Sequence, residues 1–209
     1  MPRISAASVA EHVARQEQAV FSAAIGLFIE RGYREVTLTD IAAEVGLARN
    51  SLYRYFPDKA AILMRWYRNE MPVLNQRFAG LLEGDEPPGT RIERWAAAQI
   101  DYAREPEHHL VAALGQAVGD LSGDDIAELA ESHAQVMAPF HAALAETGLD
   151  GAEATAVADL IWNAVMAQAR RELRDGDDPV GRVVLDRCIE AMVGAPEVTS
   201  GRAPAGSPR

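Results

Sequence analysis

Between Thr37 and Lys59 the chain reads TLTDIAAEVGLARNSLYRYFPDK, a run that few folds can accommodate. Thr37-Leu38-Thr39-Asp40 has the form of a capping box in its aspartate version, with Thr37 as N-cap. A helix of about Leu38 to Val45 follows, with Ile41, Ala42 and Val45 turned inward. Gly46 stands at the reversal, where a side chain would resist positive φ. A second helix covers about Ala48 to Tyr55. Its apolar Leu52 and Phe56 lock it onto an earlier helix. Pro57 and Asp58 then open a further helix, with Asp58 as N-cap.

The remaining apolar spacing is helical too, and no alternating strand pattern appears. A first helix of about Val9 to Arg31 carries Phe21, Ile25 and Phe28 on its apolar face, with Val20, Ala24 and Leu27 beside them, and Gly32 caps it. Pro72 bends or ends the helix begun at Asp58. The run Gly84-Asp85-Glu86-Pro87-Pro88-Gly89 is a loop. Further helices are expected over about Thr90–Arg104, His108–Val118, Ser122–Thr147 (kinked at Pro139), Ala152–Arg174, and from Pro179 onward. The expected fold is all-α, about nine helices. A three-helix N-terminal domain (1–70) with a helix-turn-helix precedes a helical bundle (71–194). Residues 195–209, rich in Pro, Gly, Ser and Ala, read as a disordered tail.

Charge is unevenly spread over this plan. The chain carries a net −11, but residues 1–70 hold nine basic and eight acidic side chains against 11 and 23 in the rest. A near-neutral head on an acidic body can bind nucleic acid if its arginines share one face. Cys188, the single cysteine, excludes an internal disulfide and reads as a buried inert thiol. The segment MPRISAAS has no signal-peptide core, and no apolar run has the length of a membrane span. The expectation is a cytoplasmic protein.

The segment after Gly46 has the chemistry for DNA. In a helix-turn-helix the second helix enters the major groove. Arg49 can bond two guanine acceptors and Asn50 can bond adenine. Ser51, Tyr53, Arg54 and Tyr55 can reach phosphates or thymine methyls. Lys59 is the only lysine in the chain. A cation at a helix start opposes the helix dipole, which points to a phosphate partner.

Thr37, Ile41, Ala42, Gly46, Leu52, Tyr53, Phe56 and Lys59 together resemble the N-terminal signature of TetR-type transcriptional regulators, over about Phe21 to Leu63. The resemblance implies a helical ligand-binding and dimerisation domain, and a homodimeric repressor released from DNA by a small molecule. It places Thr37, Arg49, Asn50, Ser51, Tyr53, Tyr55 and Lys59 at DNA-contacting positions. Leu47 stands where valine is usual, and Ala48-Arg49-Asn50-Ser51 replaces a more common Ser-x-Gly-Thr type of run, so the operator sequence is not implied.

In the body, Trp95, Gln99 and Tyr102 share a helix face. His133, Met137, Phe140 and His141 lie close on another helix, and Trp162 and Met166 are one turn apart. Such mixed groups line ligand pockets, and they also make ordinary cores. The expected pocket is Trp95, Gln99, Tyr102, His133, Met137, Phe140, Trp162 and Met166, for a neutral or cationic lipophilic effector. Helices 152–174 and 179–193 have long apolar stripes suited to a four-helix dimer interface. On the first the stripe is Val157, Ala158, Ile161, Trp162, Val165, Met166 and Ala169. On the second it is Val180, Val183, Val184, Ala191 and Met192. No nucleophile-elbow or phosphate-loop pattern occurs, so no enzyme and no cofactor is expected. His108 and His109 point about a hundred degrees apart on a helix and make a poor chelate, so no metal is expected. A helical adaptor whose acidic body binds another protein remains the rival reading.

Overall fold

The computed structural model describes residues 6–194, and the tail predicted at 195–209 lies outside them. Nine α-helices follow one another, and no strand occurs among the described residues. Helix α1 (Ala6–Arg31) ends at Gly32, whose φ of +87° suits glycine. Helix α2 (Leu38–Glu44) starts from the expected box: the Thr37 hydroxyl accepts from the Asp40 N–H at 3.2 Å, and the Thr37 N–H donates to Asp40 Oδ2 at 2.8 Å. Gly46 turns the chain at φ +67°.

Helix α3 is shorter than the sequence suggested. Arg49–Leu52 is α-helical, and Tyr53 to Tyr55 continue as tight turn. The Tyr55 N–H reaches the Leu52 carbonyl at 2.9 Å, a three-residue closure that narrows the last coil.

Helix α4 (Lys59–Gly80) begins at Asp58, whose Oδ1 accepts from the Ala61 N–H at 2.7 Å. Pro72 does not end it. The helix runs on, with Tyr67 and Met71 buried before the proline and Phe78 after it. Burial of three such side chains, about 1.5–3 kcal/mol each, outweighs the roughly 3 kcal/mol that proline costs inside a helix.

The body consists of α5 (Pro88–Ala103), α6 (His108–Ala117), α7 (Gly123–Ala145), α8 (Gly151–Asp175) and α9 (Pro179–Val193). Proline at N1 lets α5 begin two residues ahead of Thr90. Ser122 caps α7 through a second box with Asp125, and α7 runs through Pro139.

Two hydrophobic cores result. Val20, Ala24, Leu27, Phe28, Ile41, Leu52, Phe56, Leu63 and Trp66 fill the N-terminal one. Leu110, Ala113, Leu114 and Ala117 of α6 belong to this same core. The second holds Phe78, Ile92, Trp95, Phe140, Ile161, Val165 and Ile189. A boundary at residue 70 therefore falls inside α4, whose two ends feed different cores.

On α9 the packed stripe is Leu185, Ile189 and Val193, while Val180, Val183 and Val184 face outward. Cys188 is exposed on that outer side, not buried.

Candidate nucleic-acid interface

Leu52 and Phe56 are buried in the N-terminal core, and this anchors the turn that carries the polar residues. Arg49, Asn50, Tyr53 and Arg54 project into solvent, and Ser51 and Tyr55 are half-buried beside them. The Arg49 guanidinium donates to the Tyr53 hydroxyl at 3.2 Å, one helical turn away. Arg54 lies 5.8 Å over the Tyr55 ring. These two contacts hold long side chains upright, so less freedom is lost when they meet a surface. Thr37 is exposed at the α2 start, where its hydroxyl also donates to Asp40 Oδ2 at 2.5 Å. That bond, ahead of the backbone N–H of Thr37, holds the Asp40 carboxyl below its usual range.

Lys59 is placed differently from the sequence reading. Its ammonium turns inward, donating to the carbonyls of Tyr33 at 2.8 Å, Val36 at 3.1 Å and Arg34 at 3.5 Å. It also sits 4.2 Å from the Tyr33 ring centroid. All three ammonium donors are engaged, so the loop between α1 and α2 supplies the reason for a cation here without any phosphate. The variant Lys59→Gln is expected to lower the stability of the DNA-free protein by about 1–2 kcal/mol, seen as a lower urea midpoint. A lysine serving phosphate alone would leave that midpoint where it is.

Tyr33 went unnoticed in the sequence, where only its position after Gly32 marks it. It is buried edge-on to Phe28 at 5.2 Å, and its hydroxyl donates to Asp120 Oδ2 at 3.2 Å. Burial first, then the Asp120 carboxylate, pushes the phenol above its ordinary pKa. Asp120 closes the 3-10 turn Val118–Asp120, so this bond ties the reading head to the body. Arg68 makes a parallel tie from α4 to Asp125 at 2.7 Å and Glu128 at 2.6 Å on α7.

The predicted pocket residues are mostly packing. Trp95 stacks flat on Phe140, with ring centroids 4.4 Å apart, and Trp162 leans on Trp95 at 5.9 Å. Gln99 is buried on α5, Met137 and Met166 are half-buried against the second core, and His133 is exposed. The rings fill the space that a pocket would need. None of the eight lines the cleft of about 620 Å³ between the α5 start, Glu146, Thr147 and α9. Tyr102 alone of them borders the cleft of about 420 Å³ at the head–body junction. His108 packs edge-on to Tyr102 at 5.4 Å, and His109 is exposed.

An outward polar turn on a buried Leu-Phe anchor, carried by a helical head on a helical body, defines a helix-turn-helix DNA-binding regulator. Residues 20–65 match the family described as bacterial regulatory proteins, tetR family. The tetR-family signature thus lies on the helix-turn-helix head. The chain is similar to the HTH-type transcriptional regulator HbdR of Aromatoleum sp. (strain CIB), 32% identical over 96 residues, 44% of this chain and 42% of that protein. It is also similar to the nucleoid occlusion factor SlmA of Pasteurella multocida (strain Pm70), 30% identical over 79 residues, 38% of this chain and 40% of that protein. The chain thus spans about two-fifths of the length of these curated relatives. Among solved structures, reduced NemR of E. coli superposes with a TM-score of 0.64 at 17% identity, over 87% of this chain and 99% of that one. The TetR family regulator PfmR of Thermus thermophilus gives 0.63 at 20% identity, over 83% and 96%. These likenesses carry the family's fold through the body. No helix among the described residues is long and apolar enough to cross a membrane.

Proposed function

We propose that the chain is a homodimeric repressor that binds a palindromic operator and is released by a small lipophilic effector. The observation that carries this reading is the exposed set Arg49, Asn50, Tyr53 and Arg54 above buried Leu52 and Phe56. Arg49 and Asn50 read base edges, while Thr37, Ser51, Tyr53, Arg54 and Tyr55 hold the backbone. Nuclease footprinting on DNA flanking its gene tests it. Two protected half-sites with centres roughly 34–36 Å apart, or a multiple of that, are expected. A single unpaired footprint, or none, defeats it.

The dimer is assigned to α8 and α9. Val180, Val183 and Val184 are 72%, 57% and 52% exposed, and Leu160 of α8 is 60% exposed. So many large apolar groups facing water on two neighbouring helices support a self-complementary seam. Leu160→Glu with Val184→Glu places charge there without touching the core. Light scattering is expected to report a dimer for the parent chain and a monomer for this variant, with promoter affinity at least tenfold weaker. A monomeric parent chain at micromolar concentration would contradict the assignment.

A further inference from the structure

The junction cleft of about 420 Å³ is walled by three parts of the molecule. Phe21, Ile25 and Ile29 come from α1, in the reading head. Trp66 and Leu74 come from α4. Tyr102 comes from the end of α5, in the body. Its size and apolar lining suit a small organic molecule.

The rim has a consistent sign. Glu70, Glu105 and Glu107 border it against one guanidinium, that of Arg77. Arg77 is 3.6 Å from Glu105, and Glu70 and Glu107 have no ion-pair partner among the described residues. The Tyr102 phenol records the same field: burial first, then the carboxylates of Glu105 and Glu107, push it up to about 12. Three aromatic side chains, an aliphatic wall and an excess of carboxylates select one chemistry. An anion is repelled, a neutral hydrocarbon gains nothing from the rim, and a cation with apolar substituents is served by both.

We propose that this cleft binds a lipophilic organic cation, which bridges α1 to the α5–α6 turn and so sets how the reading head sits on the body. The binding clause stands on the cleft itself; the clause on the head rests on the regulator reading above. The site is separate from the stacked Trp95–Phe140–Trp162 interior, which is already filled.

Calorimetry on the full chain in ~0.15 M salt, where long-range attraction to the acidic surface is screened, tests it with two ions of matched shape. Tetraphenylphosphonium is expected to bind once per chain, roughly tenfold or more tighter than tetraphenylborate. Ile25→Trp, which fills the cleft, abolishes that binding. Glu70→Gln with Glu107→Gln, both exposed positions that leave the fold alone, weakens it several-fold and carries the decision if the tryptophan variant fails to fold. Equal affinity for the two ions overturns the proposal. Phosphonium binding undiminished in the Glu70/Glu107 variant also overturns it, because it is then diffuse attraction to an acidic protein. In a parallel gel shift, phosphonium is expected to move promoter affinity several-fold, and an unmoved affinity overturns the bridging clause. Failure of the untreated protein to bind the promoter defeats the regulator reading and leaves the calorimetric result standing.

Discussion

Replacing Arg49 and Tyr53 together by alanine is expected to remove promoter binding while the fold stays intact. Both side chains project into solvent, and their hydrogen bond at 3.2 Å is to each other and not to the core. Truncating them opens no cavity, and α3 keeps its anchors Leu52 and Phe56. The loss falls on recognition: an arginine on guanine is worth about 1–3 kcal/mol and a backbone contact about 1. Together these give about 2–4 kcal/mol, or roughly thirtyfold to a thousandfold in a gel shift. Circular dichroism should be unchanged. A variant that shifts the promoter as well as the parent chain does would move DNA binding elsewhere on the molecule. The two single effects should sum to more than the combined one, because removing either partner also frees the other to swing.

Glu172→Gln is expected to cost about 2–4 kcal/mol of stability at neutral pH. The Glu172 side chain is fully buried where α8 meets α9 and α5. Arg182 grips it with two nitrogens at 2.7 Å, Gln168 donates to it at 3.0 Å, and Arg104 lies 3.6 Å away. Arg182 also reaches Asp101 of α5 at 2.7 Å. The Arg182 hydrogen bonds, then those from Gln168 and the nearby positive charges, outweigh burial and hold the carboxyl down to about 2. A folded value below the unfolded one stabilises the protein above the unfolded value. This contribution fades as pH falls from about 4.5 toward 2. The urea midpoints of parent and variant should therefore differ most near pH 7 and converge toward pH 2. Equal midpoints at pH 7 would show that this cluster is solvated and adds nothing.

What the sequence disclosed depends on how far each interaction reaches. The caps at Thr37 and Asp58 stood out because each closes over three residues. The helix-turn-helix was legible for the same reason, since Gly46 and the buried Leu52 and Phe56 dictate it locally. Lys59 misled because its partners lie 23 to 26 residues earlier, in a loop whose carbonyls leave no mark on side-chain type. On α9, Val180, Val183 and Val184 share the spacing of a packed stripe, yet Leu185, Ile189 and Val193 are the ones facing inward. Periodicity shows that a helix has an apolar side, not whether its own chain covers it, and Cys188, expected buried, is exposed. The Trp95, Phe140 and Trp162 group failed as a pocket because a ring stack and a ligand cavity use the same residue types. The junction cleft was illegible, since it exists only where α1, α4 and α5 converge.

Four residues of α6 close the underside of the reading head. The head thus has no floor of its own. Severed midway along α4 and grafted onto another scaffold, it would carry the bared faces of Ile62, Leu63 and Trp66 with it. This head is not a portable cassette, and whatever disturbs α6 is felt directly beneath the exposed polar turn of α3.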